Sequence, residues 1–387
     1  MSNPRLFALL TDILAVRGDG GNSGLRLRMI ESGMPWEALA RLADDHGVLS
    51  PLIWALTRRS LLLPVPVGTA PDGASQHPSV QLAAIYQQHL ARRQRQRDQL
   101  ADIVRELNRA SIEPLLLKGA RYLIAPPGPW AEARDMRDID LLVRPDDAGR
   151  ALAALAALGY ARDPRPIPMD QHLPEMWHDG QPSAVEIHIE SLSFSARKIL
   201  TTEEVWERGT HSSSEQGAFF ILPAEWQLLH GLLHHQVSDR CYAQRVLALK
   251  ALWEFAMLAE GMSPDGLRSI ADQMTAKRQA DVLGSCLVQG NRIFGLACPQ
   301  GISITPAARA HAETTLRNAA APDWVRHGRH LADQVRFAFA RETLAVRYGL
   351  DEQDVSIRTV GRHLRFLTRH YRGRMLDRLF GEHGKPS

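Results

Sequence analysis

The chemistry open to this chain is concentrated between residues 115 and 190. In Asp138-Ile139-Asp140 two carboxylates stand two residues apart, followed by Leu141, Leu142 and Val143. Such a run is a strand, and strand side chains alternate between faces, so Asp138 and Asp140 point one way and Ile139 the other. Two carboxylates side by side repel each other unless a cation sits between them, and the usual occupant is an oxygen-liganded divalent ion, Mg²⁺ or Mn²⁺. A later strand, residues 184–189, sets Glu186, His188 and Glu190 on one face and Val185, Ile187 and Ile189 on the other. Glu186 is thus a candidate third carboxylate, with His188 beside it. Upstream, the apolar residues 115–117 break into Lys118-Gly119, a strand, a tight turn and a helix start. A glycine there lets backbone N–H groups approach a polyphosphate closely, and the Lys118 ammonium adds a point charge. Phosphoryl and nucleotidyl transfer both need a polyphosphate neutralised while an attacking oxygen lines up with the leaving group, and two Mg²⁺ ions about 4 Å apart between convergent carboxylates do this.

The elements that must position these residues follow from hydrophobic periodicity. Residues 1–63 read as helices, with apolar spacing through Leu6, Leu9, Leu10 and Ile13 and again through Trp36, Leu39, Leu42 and Ala43, interrupted by a Gly-rich loop at 18–24. The Pro, Gly and Ala-rich stretch 64–78 reads as a linker. One long helix is expected over about 79–110, without internal Gly or Pro. Its basic middle, residues 92–97, is a solvated face or, alternatively, a phosphate-binding stripe. The core unit is then a strand at 113–117, a short helix at 120–124, a strand at 138–143, a helix at 145–158 closed by Gly159, a strand starting at Tyr160 and the strand at 184–189. From Pro223 the pattern is helical: 225–237, 242–259, 264–274, 277–294, 306–318, 324–348 and 357–380. The expected fold class is α+β, a small mixed sheet flanked by N-terminal and C-terminal helical regions. The expected division is a helical lobe and linker at 1–78, a core at 79–222 and a helical domain at 223–387.

Composition excludes more than it selects. Lys plus Arg number 46 and Asp plus Glu 43, so no global charge argues for nucleic acid or a membrane surface. Three widely spaced cysteines, Cys241, Cys286 and Cys298, do not make a disulfide framework or a cysteine zinc site and suit a reducing, cytoplasmic setting. The short apolar run at 6–16 is broken by Asp12 and reads as a helix, not a signal peptide. No stretch is apolar for long enough to predict a membrane span.

With these residues in view, the chain resembles a large bacterial family of uncharacterised nucleotidyltransferases within the polymerase-beta-like superfamily. The resemblance rests on Leu117-Lys118-Gly119, on an Arg four residues before the strand Asp138-Ile139-Asp140-Leu141-Leu142-Val143, on a helix ending in Gly159-Tyr160 and on Glu186-Ile187-His188. It covers roughly residues 113–191 and extends more weakly to about 260. It implies a minimal nucleotidyltransferase sheet in which Asp138 and Asp140 are the metal-binding pair and Glu186 the third carboxylate. Gly119 would be the phosphate-turn glycine and Arg134 the arginine before the acidic strand, with Lys118 and His188 also at the nucleotide. The implied activity moves an NMP group, most plausibly AMP, from an NTP to a hydroxyl or phosphate acceptor with release of pyrophosphate, using Mg²⁺ or Mn²⁺. The acceptor stays open among a small molecule, a sugar, a peptide, a protein and RNA. The chain departs from the superfamily in carrying Ala120 after Gly119 and a long Pro-rich connection to Asp138. Those departures suit the alternative reading, a non-catalytic nucleotide sensor or protein- or RNA-binding scaffold, whereas the three carboxylates suit the enzyme.

Two further constellations stand apart. His230, His234 and His235 fall on one expected helix, and the spacing of His230 and His234 suits zinc, but Gly231 stands where a metalloprotease motif needs Glu, so structural roles are the first reading. The last helix, residues 357–380, carries Arg358, Arg362, Arg365, Arg369, Arg372, Arg374 and Arg378 beside Leu364, Phe366 and Leu367. It reads as a packed helix with a solvated arginine face, or as a basic surface for an acidic partner, RNA or a membrane.

Overall fold

A computed structural model describes residues 4–16, 35–61, 78–162, 171–298, 300–320 and 323–380. The loop expected at 18–24 and nearly all of the expected linker 64–78 lie outside those residues, as do the side chains of residues 369–380. The backbone divides into two compact units, one ending at residue 322 and one beginning at residue 323.

The first unit is built on one seven-stranded mixed sheet: β1 (Leu115–Leu116), β2 (Asp138–Leu142), β3 (Ala161–Arg162), β4 (Met176–Trp177), β5 (Ala184–His188), β6 (Thr210–Ser214) and β7 (Gly217–Ile221), in the order β3-β4-β5-β2-β1-β7-β6. With its helices this is the expected α+β class. The central pair, β2 and β5, is parallel, with Asp138 opposite Ala184 and Asp140 opposite Glu186. β1 runs antiparallel to β2 and parallel to β7.

The period-2 alternation sorts the central strands between two cores. Ile139, Leu141 and Val143, with Val185 and Ile187, pack beneath Leu100, Ile103, Val104 and Leu107 of the long helix α4 (Pro78–Arg109) and beside Ala151 and Leu155 of α6 (Ala148–Ala157). The opposite face carries Asp138, Asp140 and Leu142. There Leu115, Leu117 and Leu142 join a core that takes in α1 (Pro4–Leu14), α2 (Trp36–Asp45) and α3 (Leu49–Arg58) from the N-terminal side. The same core takes in α9 (Ala224–Leu233), α11 (Leu249–Glu260), α12 (Pro264–Ala276) and α13 (Ala280–Phe294) from the other end. Helices from both ends therefore cover the acidic face, and Val16 N–H donates to Phe294 O at 3.0 Å to join them.

Four details differ from the sequence expectation. A hairpin of polar β6 and apolar β7 pairs beside β1 where no strand was read. The helix expected over 225–237 ends at Leu233 and passes into a π-turn, His234–Ser238. The helix expected over 242–259 is broken into α10 (Cys241–Gln244) and α11 because Arg240 and Arg245 adopt left-handed backbone at φ +63° and +51°. In the second unit the expected 324–348 helix is likewise two, Asp323–Ala338 and Arg341–Tyr348, followed by Ile357–Phe380. That unit has a small core of its own from Leu344, Ala345 and Val355.

Candidate functional site

β1 ends at a turn in which Leu117 N–H donates to Asp140 O at 3.1 Å, which ties it to the acidic strand. Lys118 then takes left-handed backbone, φ +46°, before the short helix α5 (Lys118–Ile124) begins. For a residue with a Cβ that conformation costs about 1–3 kcal/mol and persists only when its surroundings enforce it. Here the Lys118 Nζ donates to Asp140 Oδ1 at 2.6 Å.

That oxygen is shared. His188, fully buried two residues past Glu186 on β5, places Nε2 2.9 Å from Asp140 Oδ1 and 3.5 Å from Glu186 Oε2. Asp140, Glu186 and His188 each bring a ligand-type atom to within 4.8 Å of the others, and all three are buried. His172 faces them from an isolated bridge to His188, with Nε2 3.8 Å from Glu186 Oε2 and ring centroids 5.1 Å apart.

The charges explain the titration of the group. Burial pushes the Asp140 carboxyl up, but the Lys118 ammonium and His188 outweigh it and hold the carboxyl well below the usual range. Burial pulls Lys118 down, and Asp140 more than reverses this. His188 is likewise lowered by burial but raised overall by its hydrogen bonds to Asp140 and Glu186. Asp138 goes the other way: burial first, then the charges of Asp140 and Glu186, raise it. Burial leads that shift, the two neighbouring carboxylates add to it, and Lys118 and Arg134 oppose it. Hard oxygen donors fit a divalent cation, and the adjoining imidazole suits Mn²⁺ as well as Mg²⁺.

The remaining candidates are placed differently. Gly119 is buried, and a Cβ there would fall on Arg134 Nη1 and lie 2.7 Å from Met136 Sδ. Its missing side chain therefore makes room for Arg134. Arg134 in turn donates Nε–H to Glu254 Oε2 of α11 at 2.8 Å and lies 5.7 Å from the Tyr122 ring. His188 touches both Asp140 and Glu186.

Residues that the sequence reading passed over also belong here. Gln227 Nε2 donates to Lys118 O at 3.4 Å, and Lys250 Nζ donates to Asp135 O at 2.7 Å. Glu254 was the legible one, a carboxylate inside the apolar run of α11. His172 carried no local signal, because only the fold brings it to Glu186.

The histidine trio does not meet as one ligand set. His230 Nε2–H donates to Ser191 O at 3.0 Å, while His234 and His235 gather with Asp239 across the π-turn, His235 Nδ1 lying 2.9 Å from Asp239 Oδ2. The basic run of α4 is mostly neither a solvated face nor a phosphate stripe. Arg93 donates to Tyr122 O at 2.6 Å and Arg97 to Leu123 O at 2.8 Å, capping the C-terminal carbonyls of α5, and Arg92 donates to Pro182 O at 3.1 Å.

Among known proteins, residues 32–294 match the family described as an uncharacterised nucleotidyltransferase. No curated protein matches the chain.

Proposed function

The chain belongs to the uncharacterised nucleotidyltransferase family, and from that premise we propose that it transfers an NMP group, AMP in the leading case, from an NTP to a hydroxyl or phosphate acceptor with release of pyrophosphate. The observation that carries this reading is the β2–β5 register, which puts Asp140 directly opposite Glu186 with Asp138 on the same strand face. Asp138, Asp140 and Glu186 would hold Mg²⁺ or Mn²⁺. Bound there, the cation supplies the charge that neutralises a polyphosphate and favours attack at its α-phosphorus.

The chain's own groups do the rest. Lys118 keeps Asp140 ionised and stands as a point charge beside it, and His188 fixes the orientation of the same carboxylate. Glu186 is the group placed to take the proton of the attacking hydroxyl. Gly119 and Arg134 form the wall next to Lys118, so Arg134 meets a triphosphate from a guanidinium already oriented by Glu254.

One observation favours the second reading, a non-catalytic module that serves as a nucleotide sensor or as a protein- or RNA-binding scaffold. The open side of Gly119, where a phosphate would approach the backbone, is filled by Arg134. Calorimetric titration with Mn²⁺ and then with each NTP separates the two readings, because the enzyme reading requires binding that Glu186→Gln weakens and turnover that follows it. Tight NTP binding without turnover under any metal supports the sensor.

A further inference from the structure

On the helical side of Lys118 lies a partly open pocket with apolar walls from Leu228, Leu252, Phe255 and Leu258. Three polar residues lining it each keep one buried atom that finds no hydrogen-bond partner among the described residues: Gln227 Oε1, Glu254 Oε1 and His234 Nδ1. The other ends of the first two are hydrogen-bonded, and that of the third faces a carboxylate. Gln227 Nε2 donates to Lys118 O, Glu254 Oε2 accepts from Arg134, and His234 Nε2 faces Asp239 Oδ2 at 3.7 Å.

What is left over is one kind of chemistry. A carbonyl oxygen and a carboxylate oxygen accept, and so does His234 Nδ1 in the neutral tautomer that carries its proton on Nε2, the nitrogen on the Asp239 side. Burial and neighbouring cations keep His234 well below the usual histidine range, in keeping with that neutral form. Buried acceptors left unmet are costly, so the pocket is complementary to a ligand that donates several hydrogen bonds. Charge narrows it further. The wall cations are already committed, Lys118 to Asp140, Arg134 to Glu254 and both to the triphosphate in the reading above, so an anionic acceptor gains no free partner from them and a cationic one meets both.

We infer that this pocket holds the acceptor of the nucleotidyl group, and that the acceptor is a small uncharged molecule with several hydroxyl groups beside an apolar flank, a polyol or sugar derivative and not RNA or a polypeptide. The inference rests on the nucleotidyl-transfer reading above. A hydroxyl held beside Lys118 is next to Asp140. Its oxygen bonds to the α-phosphorus, the bond from that phosphorus to the bridging oxygen of pyrophosphate breaks with the electron pair leaving on pyrophosphate, and the hydroxyl proton passes to Glu186.

Gly231 gives the test, because it lines the pocket and a Cβ there meets nothing within 4 Å. Gly231→Phe fills the space from an open position, and Gly231→Ala is the control. The full chain, with Mg²⁺ and a non-hydrolysable ATP analogue, is probed by saturation-transfer NMR with myo-inositol, sorbitol, glucose and octyl glucoside, and with glucose 6-phosphate and glucuronate as charged counterparts. The expected result is binding of a neutral probe to wild type and Gly231→Ala, weakened by about tenfold or more in Gly231→Phe. The inference is overturned if no neutral probe binds, which leaves ordered water as the partner of the three atoms, or if a charged counterpart binds better. Binding that survives Gly231→Phe overturns it too, as does a Gly231→Phe effect on the ATP analogue alone, which makes this the base pocket. The analogue's own Mg²⁺-dependent binding, read on the same samples, reports separately on the nucleotidyl-transfer reading.

Discussion

Gly119 and Arg134 occupy one space: a Cβ on the glycine would fall on the guanidinium Nη1, and that guanidinium cannot retreat without loosening its 2.8 Å bond to Glu254. The turn after β1, the connection before β2 and helix α11 are locked together through this contact. The Arg134–Glu254 ion pair is buried, with 11% of each side chain exposed.

Gly119→Ala therefore destabilises the protein by overpacking, at about 1–3 kcal/mol. If the guanidinium is displaced, the cost rises toward the roughly 3–5 kcal/mol of a broken buried ion pair. Urea unfolding of Gly119→Ala, Glu254→Gln and the double variant checks it. The expected outcome is strong non-additivity, because both changes strike one contact. A phosphate-binding role alone would leave unliganded stability unchanged.

Lys118→Met leaves Asp140 buried with His188 as its nearest donor. Asp140 is held down and Lys118 held up by their contact, so the pair stabilises the fold between the unfolded values, about 3.9 and about 10.4. That stability is lost as pH falls through the depressed folded value of Asp140 or rises through the elevated one of Lys118. The variant should be about 3–5 kcal/mol less stable at pH 7. Thermal melts should show the difference shrinking below pH 4, and Mn²⁺ should raise the variant's Tm more than that of wild type, by replacing the lost positive charge.

His230 is buried, donates to Ser191 O and is pulled from 6.5 down to about 4, chiefly by burial and against its hydrogen bond. Its folded value is depressed, so protonation favours the unfolded chain. Its contribution is complete above the unfolded value and is lost as pH falls from 6.5 toward 4, a difference of about 3 kcal/mol. His230→Gln keeps a donor for Ser191 O without a titrating ring, and its stability should change less over that interval in denaturant titrations.

Much of this site was legible because its signals are local. Alternation in Asp138-Ile139-Asp140 and in Glu186-Ile187-His188 identified the strands, and it put Ile139 and Ile187 under α4 and the carboxylates on the other face. The hairpin β6–β7 was missed because Thr210–Ser214 is polar edge strand, and its partner β7 gains its place only by pairing with β1. The arginines at 92, 93 and 97 looked like a charged stripe because a sequence does not show which carbonyls lie above them. Gly119 was read for phosphate although its neighbour is Arg134, whose own partner Glu254 is 120 residues further along the chain. The breaks at Arg240 and Arg245 were hidden because both are left-handed without being glycine.

The central claim is that Asp138, Asp140 and Glu186 perform metal-dependent nucleotidyl transfer, and pyrophosphate release tests it most directly. Wild type and Asp140→Ala are incubated with each NTP, labelled at the γ-phosphate, and Mg²⁺ or Mn²⁺ with an acceptor pool of small-molecule, protein and RNA fractions. Wild type should release pyrophosphate from at least one NTP, and Asp140→Ala should do so at least about a hundredfold more slowly. Equal release from the two proteins, or none from wild type with any NTP and fraction, would contradict the account.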